Sequence, residues 1–299
     1  MDIERLSLGA GIRLILRHRR LRQRGIQVFK AALREFFLPQ FLSLLFPGIR
    51  PVAVISHPLD DSLPFDPRLF HRYLGYFTVW MKTLSGLYRI YGNPALEDIE
   101  EMMRGVARLY DAAGRVYRHC QSTTTSRRTA PANPYFLLVF LFDPHLHCIP
   151  SLHILTICYN YHQASRTVMR RDPYGVSGSR LSAAAYRAAL RITEAILLVK
   201  QHSLLDIGPS LFLLSRLFPE YGEREIRRFV SDLFADTSVL EPCAAAQARQ
   251  VILKSYEQLL ARHRGHRNST APEIVLDYLR EILKEGRNTA RKGLQQAPP

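Results

Sequence analysis

Apolar residues recur at helical spacing along most of this chain, and apolar–polar alternation with a period of two is scarce. The clearest run follows Asn93 and Pro94, a helix-capping side chain and a proline suited to the first helical position. The apolar positions that follow are Leu96, Ile99, Met103, Val106, Tyr110, Ala113 and Tyr117. This spacing puts one apolar face on each helix, so the sequence predicts an all-α fold.

Stretches rich in proline, glycine and polar residues divide the chain. The predicted segments are a basic amphipathic helical segment (1–36), a helical core (37–218), a C-terminal helical extension (219–286) and a disordered tail (287–299). Loops are predicted at 47–68, 121–134 and 172–179. Between them we expect helices at about 69–91, 95–120, 135–142, 151–164 and 181–199.

The charge balance is strongly basic and indicates anionic partners. Lysine and arginine total 41 against 26 acidic residues, which gives a net charge of +15. Anionic lipid, a phosphorylated substrate and nucleic acid would all suit this charge. Because no nucleic-acid-binding motif accompanies it, nucleic acid is the least favoured of the three. The arginine-rich segment 12–34 predicts a helix that lies on an anionic membrane surface, or a helix whose basic face is simply solvated.

Cysteine spacing and hydropathy bear on the compartment. The four cysteines show no CxxC spacing, which favours reduced thiols over a disulfide framework. The start of the chain does not resemble a signal peptide. A spanning helix needs about 20 mostly apolar residues, but the two longest candidates, 135–161 and 197–218, contain prolines or charged residues. We therefore expect a cytoplasmic protein or one peripheral to the membrane, with an integral membrane protein as the alternative.

Two short stretches carry the predicted chemistry. Residues 149–153 place a serine and a histidine just after a proline, and residues 200–206 place His202 four residues before Asp206. On a helix, that spacing puts both side chains on one face. A carboxylate there can hold one ring nitrogen and leave the other for nucleophilic attack. Since His153 could then protonate a leaving oxygen, the pattern predicts phosphoryl transfer through a phosphohistidine.

These residues resemble the phosphatidic acid phosphatase type 2 superfamily. Pro150-Ser151-Leu152-His153 resembles its second motif in the branch that includes inositol phosphorylceramide synthases, and His202-x-x-x-Asp206 resembles its third. Lys200-Gln201 before His202 and the run from Asp60 through Tyr73-Leu74 to Trp80 are similar to the same branch. The resemblance covers roughly residues 57–215.

The resemblance implies a role for each motif residue. His202 would be the nucleophile, Asp206 its orienting partner and His153 the general acid, while Ser151 and nearby backbone N–H groups would hold phosphate oxygens. It also implies that 37–218 is the family's helical bundle. The activity would be that of a phosphatase or phosphotransferase that needs no metal or other cofactor. A phosphate monoester, with a lipid phosphate favoured, would be the substrate.

The phosphate clamp departs from the family pattern. The nearest candidate for the first motif is the run 126–131, so Arg127 and Arg128 are predicted to bind phosphate, and Lys200 joins them if its helix begins only at about His202. Ser210 stands where the branch commonly has glycine. The alternative is a catalytically degenerate bundle that serves as a membrane-associated or partner-binding scaffold. His145 and His147 lack an acidic or cysteine set to complete a metal site, so no metal is predicted.

Overall fold

Helices make up nearly all of the regular structure in the computed structural model of this protein, which describes residues 6–125, 136, 143–235, 239–266 and 268–295. The α-helices are α1 (Leu8–Arg17), α2 (Arg19–Ala32), α3 (Leu38–Leu45), α4 (Pro58–Ser62), α5 (Phe70–Tyr73), α6 (Tyr76–Tyr91), α7 (Leu96–Tyr117), α8 (Leu152–Arg171), α9 (Val176–Leu198), α10 (Leu204–Leu217), α11 (Glu223–Asp232), α12 (Pro242–Gly265) and α13 (Ala271–Gln295). The fold is all-α, as the helical spacing predicts.

Helix α8 lies at the centre of the bundle. It contacts α6, α7, α9 and α10, and most of its residues are buried. A helix that is buried on nearly every side packs closely with its neighbours. Gly105 of α7 permits one such approach, because a Cβ at that position would collide with the Tyr159 hydroxyl on α8.

One small parallel sheet positions the loop that leads into α8. Strand β1 (Val52–Ile55) pairs with β2 (Gln121–Thr124), with Val52 opposite Gln121. Within β2, the Ser122 carbonyl accepts a hydrogen bond from the Cys148 N–H at 3.2 Å, and the Ser122 N–H donates to the Leu146 carbonyl at 3.0 Å. The loop from 145 to 149 is therefore held against β2.

Both ends of the chain join the same core. Helices α1 and α2 form a hairpin that turns at His18, and they pack on α6 and α7 respectively. At the other end, α12 lies along α10, and α13 packs on β1, α7 and α10. Buried side chains from Leu6 to Leu279 belong to one connected hydrophobic core.

Several local predictions differ from the structure. The segment 47–68, predicted as a loop, contains β1 and α4. Strand β1 depends on a partner far along the chain, and α4 on reciprocal capping between His57 and Asp60, neither of which hydrophobic periodicity reveals. The predicted loop 172–179 ends early because α9 begins at Val176.

Two further helix boundaries also differ from the predictions. The expected helix at 69–91 is interrupted between α5 and α6, and the last helix continues to Gln295, inside the segment predicted as a disordered tail. The predicted helix 135–142 lies outside the described residues, apart from Phe136. Within the described part of the chain, no helix combines the length and apolar character that crossing a bilayer requires.

Candidate active site

A carboxylate and an imidazole form a buried pair at the start of α10. His202 Nδ1 lies 2.9 Å from Asp206 Oδ2, and the same oxygen accepts the Ser203 N–H at 3.0 Å. The side chain of His202 is 6% exposed and that of Asp206 is fully buried. The predicted pair is thus in contact.

The local reason for this contact differs from the predicted one. Helix α10 begins only at Leu204, so His202 precedes the helix and does not share a regular helical face with Asp206. Ser203 caps the helix and forms a reciprocal capping box with Asp206. The carboxylate that closes the capping box also accepts the hydrogen bond from the imidazole, so the helix start orients His202.

The surroundings of Asp206 act on its pKa in opposite directions. Burial raises the pKa of this carboxyl well above its ordinary value, and the nearby charge of Asp60 adds to the rise, while the hydrogen bond from the Ser203 N–H lowers it. Asp206 Oδ1 is buried and has no hydrogen-bond partner among the described residues.

His153, the second residue of α8, faces His202. The two ring centroids are 5.6 Å apart and the rings are inclined at 71°. Tyr73 and Tyr76 cover His153, with centroids 4.5 and 4.6 Å from its own. Burial and the neighbouring His202 lower the pKa of His153 to about 3, although Asp143 opposes the shift. At neutral pH and with the site empty, His153 is therefore uncharged.

Both imidazoles line a small cavity of about 40 Å³. Its lining residues are Phe36, Phe37, Tyr76, Tyr110, Asp143, His145, His147, Cys148, Leu152, His153 and His202. By the volume that one water needs, the cavity holds about three water-sized groups. That is the size of a small polar group such as a phosphoryl group, and it is too small for a whole organic substrate.

The loop 143–148 forms one wall of this cavity. Asp143 Oδ1 accepts the His145 N–H at 3.0 Å, and Tyr73 donates its hydroxyl to Asp143 Oδ2 at 3.3 Å. His145 contacts the Gln201 carbonyl through Nε2 and Thr123 Oγ1 through Nδ1, the latter at 3.2 Å. Sequence reasoning gave these groups no role in catalysis. Their contacts join the loops that carry His153 and His202.

His147, in the same loop, is also buried. It stacks on Tyr117 with the ring centroids 3.8 Å apart, and burial lowers the pKa of His147 well below its ordinary value. This histidine is therefore neutral and packs as part of the cavity wall.

Two of the predicted phosphate-binding residues, Ser151 and Lys200, do not line the cavity. Ser151 donates its N–H to Ser210 Oγ at 2.7 Å, and Ser210 donates to the Asp206 carbonyl at the same distance. The Ser151 hydroxyl is buried without a partner among the described residues and does not line the cavity. Lys200 is also buried away from the cavity, and its ammonium donates to the Asp60 carbonyl. Arg127 and Arg128 lie outside the described residues.

Asp60 is the residue that sequence reasoning missed most clearly. Its two carboxylate oxygens accept the Ser203 hydroxyl at 2.6 Å and the Leu204 N–H at 2.9 Å. It also accepts the His57 N–H at 2.8 Å, so it joins α4 to the start of α10. An acidic group at a helix N-terminus is favourable. The only signal in the sequence was its place in the resemblance.

One set of described side chains could hold a metal ion. Ligand atoms of Cys148, His202 and Asp206 lie within 4.8 Å of one another, and all three residues are buried. Thiolate, imidazole and carboxylate together suit a borderline ion such as Zn²⁺. A metal bound there would occupy the imidazole and carboxylate that form the His202–Asp206 pair.

Comparisons with protein-family models, with curated proteins and with solved structures find no match for this chain.

Proposed function

We propose that this protein is a phosphatase or phosphotransferase that acts on phosphate monoesters through a phosphohistidine on His202. One observation carries the proposal: a buried His202–Asp206 pair lies beside His153, and both imidazoles line one cavity of phosphoryl size. The motif resemblance supports the same reading.

The first step forms the covalent intermediate. Asp206 engages Nδ1 of His202, so Nε2 is the nitrogen that attacks phosphorus. The bond between phosphorus and the ester oxygen breaks, and that oxygen takes a proton from His153. The products of this step are phosphohistidine and the free alcohol.

The second step discharges the intermediate. Neutral His153 accepts a proton from water, or from an acceptor alcohol, as that oxygen attacks phosphorus. The phosphorus–nitrogen bond breaks and phosphate, or the new ester, leaves. His202 then regains a free Nε2, with its Nδ1 still engaged by Asp206.

Because its pKa is low, His153 must gain a proton before it can act as the acid of the first step. An anion beside an imidazole favours the imidazolium, so a bound phosphate opposes the effect of burial. A phosphate monoester has its second pKa near about 6, so part of the substrate arrives carrying a proton that His153 can receive. In this proposal His153 is charged only when the site is occupied.

Charge on the phosphoryl oxygens also needs donors. Among the described residues that line the cavity, none is lysine or arginine. Arg127 and Arg128 stay the proposed clamp. The same observation favours a second candidate, a degenerate bundle that acts as a scaffold without turnover.

A trapping experiment tests the proposed function. The protein is mixed with phenyl phosphate, quenched in alkali because phosphohistidine is labile in acid, and digested for mass spectrometry. Phosphate on His202 and release of phenol are the expected results. Neither product in the intact protein would favour the scaffold, and phosphate on another residue would overturn the assignment of the nucleophile.

We further propose that the protein is peripheral to anionic membranes. Large apolar side chains of α3 and the turn after it are exposed: Leu38, Phe41, Leu44, Leu45, Phe46 and Ile49. The neighbouring helices α1 and α2 carry most of the N-terminal arginines. An apolar face beside a basic one suits a surface of anionic lipid headgroups.

A further inference from the structure

A second and larger cavity adjoins the site on the N-terminal side. It measures about 280 Å³ and lies between the α1–α2 hairpin and helices α6 and α7. Its wall is almost wholly apolar: Ile12, Ile15, Val28, Phe29, Met81 and Val106 are among the residues that form it. We call it the hairpin pocket. Seven of its fifteen lining residues lie before residue 57, outside the stretch that carries the motif resemblance.

Tyr76 and Tyr110 line both the hairpin pocket and the small cavity that is lined by His153 and His202. The two hydroxyls are hydrogen-bonded to each other, and burial raises the pKa of both. The ring of Tyr76 also meets that of His153 edge-on, 4.6 Å away. This tyrosine pair therefore stands at the junction of the two cavities, beside the group that would protonate the leaving oxygen.

We infer that the hairpin pocket binds the hydrocarbon chain of the substrate's alcohol, while the phosphate lies in the small cavity that His153 and His202 line. The inference rests on the proposed function. The volume is about twice the ~150 Å³ of an apolar cavity that takes benzene, which corresponds to a chain of about ten carbons. The substrate class is thus a phosphate monoester with one extended apolar chain. Tyr76 and Tyr110 are then specificity-determining residues at the point where head and chain meet.

Kinetics with two substrates test the pocket. Decyl phosphate and phenyl phosphate share the phosphate but differ in the chain. Each methylene buried in an apolar pocket strengthens binding by a factor of about three to four, so KM should fall steeply as the alkyl chain lengthens to about ten carbons. A KM that is independent of chain length would overturn the inference.

Filling the pocket should separate the two substrates. Val28→Phe and Ala32→Phe place bulk inside the pocket, while Ile26→Phe adds similar bulk on the same helix at an exposed position. The first two variants should raise KM for decyl phosphate at least tenfold and raise KM for phenyl phosphate much less, because a phenyl group fills only part of the pocket. The Ile26→Phe control should match the unaltered protein for both. Equal effects on both substrates, or none in the filled variants, would contradict the pocket assignment.

A binding measurement keeps this test independent of catalysis. In the His202→Ala variant, which cannot form phosphohistidine, decyl phosphate should still displace an environment-sensitive fluorophore with an alkyl chain, and Val28→Phe added to that variant should abolish the displacement. If the intact protein turns over neither substrate but the displacement persists, the proposed function fails and the chain site stands. If phenyl phosphate is turned over but the fluorophore never binds, the chain site fails alone.

Discussion

Tyr73 packs its ring against His153 with the centroids 4.5 Å apart and donates its hydroxyl to Asp143 Oδ2 at 3.3 Å. Tyr73 therefore restrains both His153, the proposed acid, and Asp143, the carboxylate that opposes the lowering of the His153 pKa. It lies in the first segment of the motif resemblance, and its contacts connect that segment to the second. Asp60, in the same segment, connects it to the third.

The nucleophile assignment predicts a graded loss of activity. His202→Ala should abolish release of phenol from phenyl phosphate, because no other group can carry the phosphate. Asp206→Asn should lower the rate on the order of a hundredfold, since the imidazole loses the carboxylate that orients it. His119→Ala, at an exposed histidine, is the control and should change nothing. Steady-state kinetics on purified variants measure all three, and full activity in His202→Ala would contradict the assignment.

Asp60 should contribute more to stability than its place in the short helix α4 suggests. Asp60→Asn weakens the acceptors for Ser203 and Leu204 at the start of α10. The loss should be about 1–3 kcal/mol of unfolding free energy, in the range for buried hydrogen bonds to a charged group. Asp61→Asn changes the adjacent, exposed carboxylate and should stay within about 0.5 kcal/mol of the unaltered protein. Urea unfolding of both variants decides the point, and equal midpoints would argue against the anchoring role.

The proposed roles of His153 predict a specific pH dependence. Its pKa is about 3 in the folded protein and near 6.5 when unfolded, so the unfolded state binds one more proton between those values. The free energy of unfolding should therefore fall as pH drops from about 6.5 toward 3, and His153→Asn should remove one proton's worth of that slope. Urea titrations at several pH values measure it.

NMR titration of the ring follows His153 directly. Without ligand, the imidazole should stay neutral down to about pH 4; with inorganic phosphate, its pKa should rise because the anion favours the charged form. A pKa near 6.5 in the ligand-free protein, or one that phosphate does not move, would contradict the proposed coupling.

The cluster of Cys148, His202 and Asp206 predicts inhibition by metal. Since the proposed reaction uses no ion, chelators should leave the rate unchanged, while Zn²⁺ should inhibit by occupying the His202–Asp206 pair. Cys148→Ser should weaken that inhibition at least about tenfold because a thiolate ligand is lost. Cys243→Ser, at an exposed cysteine, serves as the control. Activity that depends on Zn²⁺ and is lost on chelation would contradict the proposal that the reaction uses no metal ion.

The all-α class and the approach of His202 to Asp206 could be predicted from the sequence, since both depend on residues close together in the chain. The capping box shows the limit of such reasoning. The four-residue spacing of His202 and Asp206 indicated their contact, but Ser203 caps the helix, so His202 lies before the helix starts. The pairing was therefore predicted for the wrong local geometry.

What could not be predicted depends on contacts between distant residues. Strand β1 is four residues long and forms only because β2 lies beside it, nearly seventy positions away. Asp60 and Lys200 are 140 positions apart, and the Lys200 ammonium donates to the Asp60 backbone carbonyl, away from the cavity. The hairpin pocket likewise arises from the packing of α1 and α2 on two other helices. No local spacing encodes any of these contacts.

Membrane binding is predicted to depend on α3 as well as on the arginines. Removing residues 1–35 is a poor test because Leu14 and Leu21 belong to the hydrophobic core. Leu45 and Phe46 are 71% and 58% exposed, so Leu45→Glu with Phe46→Glu should leave the fold intact and abolish flotation with anionic vesicles. Tyr174→Glu, at a 94% exposed residue elsewhere, is the matched control. Binding of the unaltered protein should weaken as salt rises, since headgroup contacts are screened within about 10 Å at ~0.1 M. Flotation that survives the α3 double variant would place the membrane contact on another surface.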